Sequence, residues 1–234
     1  QLKAGQVNNA AGRIASAKAL EASVTGLDQQ GGQLFSNTSV ALDLNHGQLN
    51  NQGGLINAPG SLLLKNLAEV NNRDGEISSN QTFSLNATSL DNSGGNLSSN
   101  ADLTVNIDGT LTNLDGEISS AGLTRLNALA LNNSNGQVLG DNALDIDLGG
   151  ALDNRNGVLG SGKASRLYQD LVVTGLDVEA RLVGEARPGP PVASRRAGWR
   201  RSPAGRGARR AAPRSRACRR CGRRRRSGRR RPHR

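Results

Sequence analysis

"LDNSGGNLSSN", residues 90–100, has a composition that suits no globular core: two leucines stand among Asn, Ser, Gly and one Asp. Its meaning lies in its counterparts, "VNNRDGEISS" at 70–79 and "LTNLDGEISS" at 111–120. Aligned on Val7, Leu27, Leu49, Val70, Leu90, Leu111, Leu131 and Leu152, the chain repeats eight times, at spacings of 20, 22, 21, 20, 21, 20 and 21 residues. Self-similarity at such a period is the mark of a stacked repeat architecture.

Four columns define the unit. Two positions after each lead residue come Asn9, Gln29, Asn51, Asn72, Asn92, Asn113, Asn133 and Asn154. Five positions after come Gly12, Gly32, Gly54, Gly75, Gly95, Gly116, Gly136 and Gly157, without exception. Seven positions after, the residue is always Ile, Leu or Val, from Ile14 to Leu159. Nine positions after, it is small: Ser16, Ser36, Ala58, Ser79, Ser99, Ser120, Gly140 and Ser161.

The second half of each unit alternates. "DLTVNI" (102–107) and "ALDIDL" (143–148) place apolar residues at every other position, which sends alternate side chains to opposite faces of a strand. The thirteenth offset is apolar except at Thr124 and Ser165, and the fifteenth is apolar throughout. Each unit therefore reads as three short strands, at "LDN", "xLxS" and "LxLxL". A unit of about 21 residues with three strands has one economical arrangement: the chain winds into coils, and each strand pairs in parallel with its equivalents about 4.8 Å above and below. The expected fold is all-β, a right-handed parallel β-helix of about eight coils over residues 1–162. By the strand spacing alone, eight coils make a rod of roughly 40 Å.

In that coil the columns acquire physical roles. The Gly at offset five is expected to take positive φ at a sharp corner. The Asn at offset two is expected to stack on its equivalents and pass amide hydrogen bonds along the rod. The small residue at offset nine fits a narrow interior, and a narrow interior explains why aromatics are only 2% and Met is absent. Two other repeats fit less well. A leucine-rich repeat needs a dense L-x-x-L-x-L run before its Asn, and a calcium-binding nonapeptide roll needs tandem G-G-x-G-x-D.

With its register fixed, "LDNSGGNLSSNADLTVNIDGTLTNLDGEISS" together with "ALDNRNGVLGSG" resembles the roughly twenty-residue hemagglutinin repeats of filamentous hemagglutinin-like exoproteins. These are large two-partner-secreted adhesins, a class that includes the stalks of contact-dependent growth-inhibition toxins. The resemblance covers about residues 5 to 162. It implies a β-helical shaft exported through an outer-membrane transporter, and attachment of the full-length protein to host cells, other bacteria or surfaces. It implies a secreted or cell-surface location. The Gln at position 1 and the lack of any Met lead us to expect a processed chain or a piece of a longer one.

Charge divides the chain. Residues 1–186 hold 10 basic and 19 acidic groups, a net of −9, whereas 187–234 hold 20 Arg and no acid, so the whole carries +11. The stretch 186–234 contains no Leu or Ile and is expected to be disordered. Its Arg, Pro, Ala and Gly are also what GC-rich DNA yields when read out of frame. A genuine arm of this kind would bind nucleic acid non-specifically, which is the alternative function. Residues 163–185 read as a degenerate coil or a transition.

Chemistry-bearing residues are few. Asp74 and Glu76 recur as Asp115 and Glu117 around the corner Gly, but the Leu90 unit between them carries Gly94 and Asn96, which separates the pairs by about two coil rises. They are expected to be solvated turn acids rather than the carboxylates of a β-helical polysaccharide lyase. His46 has no His or Cys near it in the body, and Cys218, Cys221 and His233 are too few for a structural zinc site, which wants four ligands. No apolar run approaches the roughly 18 residues of a membrane span. The expectation is a protein without catalytic, metal or cofactor residues. The sequons "NTS" (37–39), "NAT" (86–88) and "NLS" (96–98) follow from the Asn/Ser-rich composition.

Overall fold

A computed structural model describes residues 1–169 and 173–174, and these are entirely strands and turns. All pairing is parallel, between segments 20 to 22 residues apart, so the described chain is a parallel β-solenoid of about eight coils. One sheet stacks eight four-residue strands, Arg13–Ser16, Gln33–Ser36, Leu55–Ala58, Glu76–Ser79, Asn96–Ser99, Glu117–Ser120, Gln137–Gly140 and Val158–Ser161. The other, of thirteen strands, carries everything else.

The pairing follows the columns. Ile77 sits opposite Ile56 and Leu97, and Leu97 opposite Ile118. Leu90 pairs with Val70 and Leu111, and Leu85 with Leu64 and Val105. Thr124, the polar exception of its column, lies in register between Leu103 and Leu144. Its hydroxyl donates to the Leu139 carbonyl at 2.6 Å and bonds the Ser120 hydroxyl at 2.8 Å, so a buried polar group is satisfied inside an apolar stack. Ser165 repeats the device with Ser161 at 3.1 Å.

The core is a single continuous cluster of stacked aliphatic columns, with Leu34, Ile56, Ile77, Leu97 and Ile118 of one column almost wholly buried. Burying each contributes about 1.5–3 kcal/mol. Among the described residues Phe83 is the one buried ring, whereas Phe35 is half-buried with the Arg13 guanidinium 4.6 Å from its centroid. A fifth inward column, Val24, Leu44, Leu67, Ala87, Ile107, Ala128 and Leu148, extends the alternation by one more step.

Three separate strands per unit are found only at the ends. In the five middle coils the "LxLxL" strand runs on into the next "LDN" strand, giving Val40–Asn50, Leu62–Asn71, Phe83–Asp91, Leu103–Thr112 and Leu123–Asn132. The bend is made by bulges: pairing shifts between Ala87 and Leu90, and between Ile107 and Thr110. A bulge turns the strand without ending its ladder, which is why this third corner has no break in pairing. Past residue 162 the stacking continues, with Ala164–Gln169 pairing with Ala143–Leu148 and Val173–Thr174 with Leu152–Asp153. The Arg-rich stretch 186–234 and the rest of 163–185 lie outside the described residues.

Candidate functional site

The strongest local construction in the molecule is the first corner of each coil. Asn51, Asn72, Asn92, Asn113, Asn133 and Asn154 are buried and stacked, and from Asn51 to Asn133 each Nδ2 donates to the Oδ1 of the next at 2.7 Å. The same Nδ2 also donates to the carbonyl of the corner Gly three residues on, at 3.2 Å for Asn72, Asn92, Asn113 and Asn133. The expected ladder therefore exists. Aligned amides polarise one another in an interior shielded from water, so the ladder strengthens with length.

The glycine column is explained differently from the expectation. Positive φ belongs to the residue before it, at offset four: Ala11, Asp74, Asp115, Asn135 and Asn156 at 52–56°, and Gly31, Gly53 and Gly94 at 59–64°. The Gly at offset five is invariant for steric reasons. A Cβ built on Gly32, Gly54, Gly75, Gly95, Gly116, Gly136 or Gly157 falls under 3.0 Å from the carbonyl oxygen of the previous coil's ladder residue. Backbone stacks on backbone there, and nothing larger fits.

A further column completes the corner. The residue directly after the lead, as Asn8, Asp28, Asn50, Asn71, Asp91, Asn132 and Asp153, accepts the backbone N–H two positions on through its side-chain oxygen, at 2.9–3.3 Å. This is an Asx turn repeated along the rod, with Thr112 the exception. Its signal, Asp or Asn after nearly every lead residue, stands in the sequence and was not among the columns read from it.

The carboxylates singled out from the sequence stay apart. Asp74, Glu76, Asp115 and Glu117 are all exposed, Glu76 accepting from the Ser78 hydroxyl at 2.8 Å and Asp74 standing over Gly94 of the next coil. His46 is exposed on a left-handed bulge, φ 64°, beside Asn45 at 48°. Among the described residues no three His, Cys, Asp or Glu side chains come together as a metal site. Cys218, Cys221 and His233 lie outside the described residues. Of the sequon asparagines, Asn37 is exposed, Asn86 accepts from Asn106 Nδ2 at 2.6 Å, and Asn96 has its Oδ1 buried without a partner.

The outer faces carry scattered ion pairs between adjacent coils, Lys65 with Asp43 at 3.2 Å, Arg73 with Asp91 at 3.5 Å and Arg125 with Asp145 at 3.4 Å. Exposed pairs of this kind contribute little to stability. Asp43 is held below the usual carboxylate range, first by the amide of Asn66 donating to it, then by the backbone N–H of Asn45 and by Lys65. Asp153 is lowered in the same direction by the guanidinium of Arg155, 2.8 Å away. Among the described residues, open depressions include one of about 530 Å³ along Gln6, Gly26, Asp28 and Gln48 and one of about 230 Å³ between Arg125 and Arg166. The corner is thus a stacking device.

Parallel coils of fixed register, a buried amide ladder and a steric glycine column define a solenoid repeat protein. Within that class the chain belongs to the haemagglutinin repeat family, whose model matches residues 1–67, 64–115 and 115–175. No curated protein and no solved structure matches it.

Proposed function

We propose that this chain is a length of structural shaft in a large secreted or surface-displayed bacterial adhesin, and that it performs no catalysis. The observation that carries this reading is the parallel stacking of about eight coils, in which, among the described residues, the columns face the core or solvent and no three His, Cys, Asp or Glu side chains gather. A shaft needs length and stiffness, and a solenoid supplies both by nearest-neighbour stacking. In this reading the protein crosses the outer membrane through a dedicated transporter partner. Attachment to host or bacterial surfaces, or display of a growth-inhibiting domain, belongs to the longer protein of which the shaft is a part.

Antibodies raised against residues 1–169 test the reading on the bacterium that makes the protein. Surface labelling of intact cells, together with loss of attachment or of contact-dependent inhibition when the gene is deleted, is the expected result. Labelling confined to the cytoplasm of permeabilised cells overturns it. The alternative rests on the 20 Arg of the tail, which give a dense positive charge suited to nucleic acid. DNA binding that falls with added salt and disappears on removal of 186–234, in a protein that stays inside the cell, favours that second reading.

A further inference from the structure

The amide ladder is broken at one junction. Asn51 and every ladder asparagine after it up to Asn133 donates to the next, but Gln29 does not reach Asn51. The Gln29 Nε2 makes a single long bond, 3.4 Å to the Leu55 carbonyl, where Asn72 makes three. Asn51 Oδ1 is left buried with no hydrogen-bond partner. Gln29 still accepts from Asn9 Nδ2 at 2.6 Å through its Oε1, so the longer side chain joins the ladder on one side only.

Two further irregularities fall at the same place. The coil from Leu27 to Leu49 has 22 residues, one or two more than any other. The surplus is absorbed by the left-handed pair Asn45 and His46 and by two register shifts, between Asp43 and Gly47 and between Gly47 and Leu49. In the eight-stranded sheet every neighbouring pair of strands is joined over four residues, except Gln33–Phe35 with Leu55–Asn57, which is joined over three. Consecutive positive φ at two non-glycine residues costs conformational energy that only surrounding contacts can hold.

We propose that this junction is a seam, about which the first two coils, residues 1–47, open and close as one unit while the remaining coils stay stacked. An end coil of any solenoid frays, but fraying by itself gives protection that rises gradually from the end. A seam gives a step. Opening at the seam uncovers the edge of the Leu49 coil, whose Asn51 Oδ1 already faces the gap as a free acceptor for an amide from another coil.

Hydrogen exchange on the full 234-residue chain, followed by mass spectrometry, tests this. Residues 1–47 should share one level of protection, at least tenfold below that of residues 49–140, with the change falling between Gly47 and Asn51. Gln29→Asn, which restores the stacking amide, should raise protection across 1–47 by about three- to tenfold, the worth of one net hydrogen bond. Asn92→Gln writes the same break into the middle of the rod, between residue 92 and Asn113, and should create a second step near residue 111. Uniform protection, a smooth gradient from the N-terminus, or a step unmoved by Gln29→Asn overturns the proposal. So does an Asn92→Gln protein that folds with no new step.

Discussion

At the scale of single residues, two neighbouring positions of the first corner look alike in sequence and differ in physics. Offset four needs a backbone that tolerates positive φ, and Asp, Asn and Gly all supply it; offset five needs the absence of a Cβ, and only Gly supplies that. The two demands make opposite predictions for substitution. Gly95→Ala drives a methyl against the Asn72 carbonyl and should cost about 2–3 kcal/mol, as overpacking of a fixed backbone does. Gly53→Asn, at φ 60° with open space around it, should change stability by less than about 0.5 kcal/mol, because Asn accepts the left-handed region. Urea unfolding of both variants against the parent measures the contrast, and equal costs would refute the steric account. The invariance of this Gly was plain from the sequence, but its reason was not: a torsional need is local to one corner, whereas the clash is with a carbonyl some 23 residues earlier and becomes visible only when coils are stacked. The ladder was more legible, since an Asn recurring at the coil period has one neighbour to bond with. Asn92→Ala should cost at least about 2 kcal/mol in the same measurement, because it takes from Asn72 Nδ2 its shortest hydrogen bond and from Asn113 Oδ1 its ladder donor in a buried stack.

At the scale of elements, the apolar columns at offsets zero, seven, thirteen and fifteen gave the pairing partner of every core strand, because a one-residue slip in a parallel stack would turn each inward leucine outward. What the columns did not show was which strands merge. Whether "LxLxL" and the next "LDN" form one strand or two depends on a bulge that keeps the ladder paired through the bend, and a bulge leaves little trace in hydrophobic pattern. Asn66, at φ 54°, marks one such bend and also holds Asp43 of the coil before through a 3.0 Å hydrogen bond. That bond is the largest influence lowering the Asp43 carboxyl below its ordinary 3.8, with Lys65 adding to it. A carboxylate whose folded-state value is depressed stabilises the fold above the unfolded-state value, and the contribution drains away as pH falls through the lower, folded value. Asn66→Gly keeps the left-handed backbone and removes the amide. The variant should therefore be less stable than the parent near neutral pH, and the difference should shrink once the pH is taken below 3.8. Denaturant midpoints of the two proteins across that range check the sign; a constant difference would show that Asp43 is not involved.

At the scale of the whole molecule, a solenoid differs from a globule in where its cooperativity lies. Each coil touches only the coils before and after it, so stability is close to a sum over coils and their interfaces, and any whole coil is replaceable by its neighbours. Deleting Asp91–Leu111 removes one complete unit, joins Leu90 to Thr112, and sets Thr112 in the place Asp91 held, opposite Asn71. Core columns, ladder and glycine stack all close again across the cut, with Asn72 facing Asn113. The shortened protein should keep the same β-sheet circular dichroism per residue and unfold in a single transition, with a midpoint lowered by a few degrees for the lost interface. Deleting only 91–100 removes half a coil and places the Leu103 strand where the Leu97 strand should stack, so the inward columns no longer meet. That variant should lose its cooperative transition although it is the longer of the two. Thermal unfolding followed by circular dichroism decides between the outcomes. If both deletions destabilise alike, the coils are not the interchangeable units that a shaft of variable length requires.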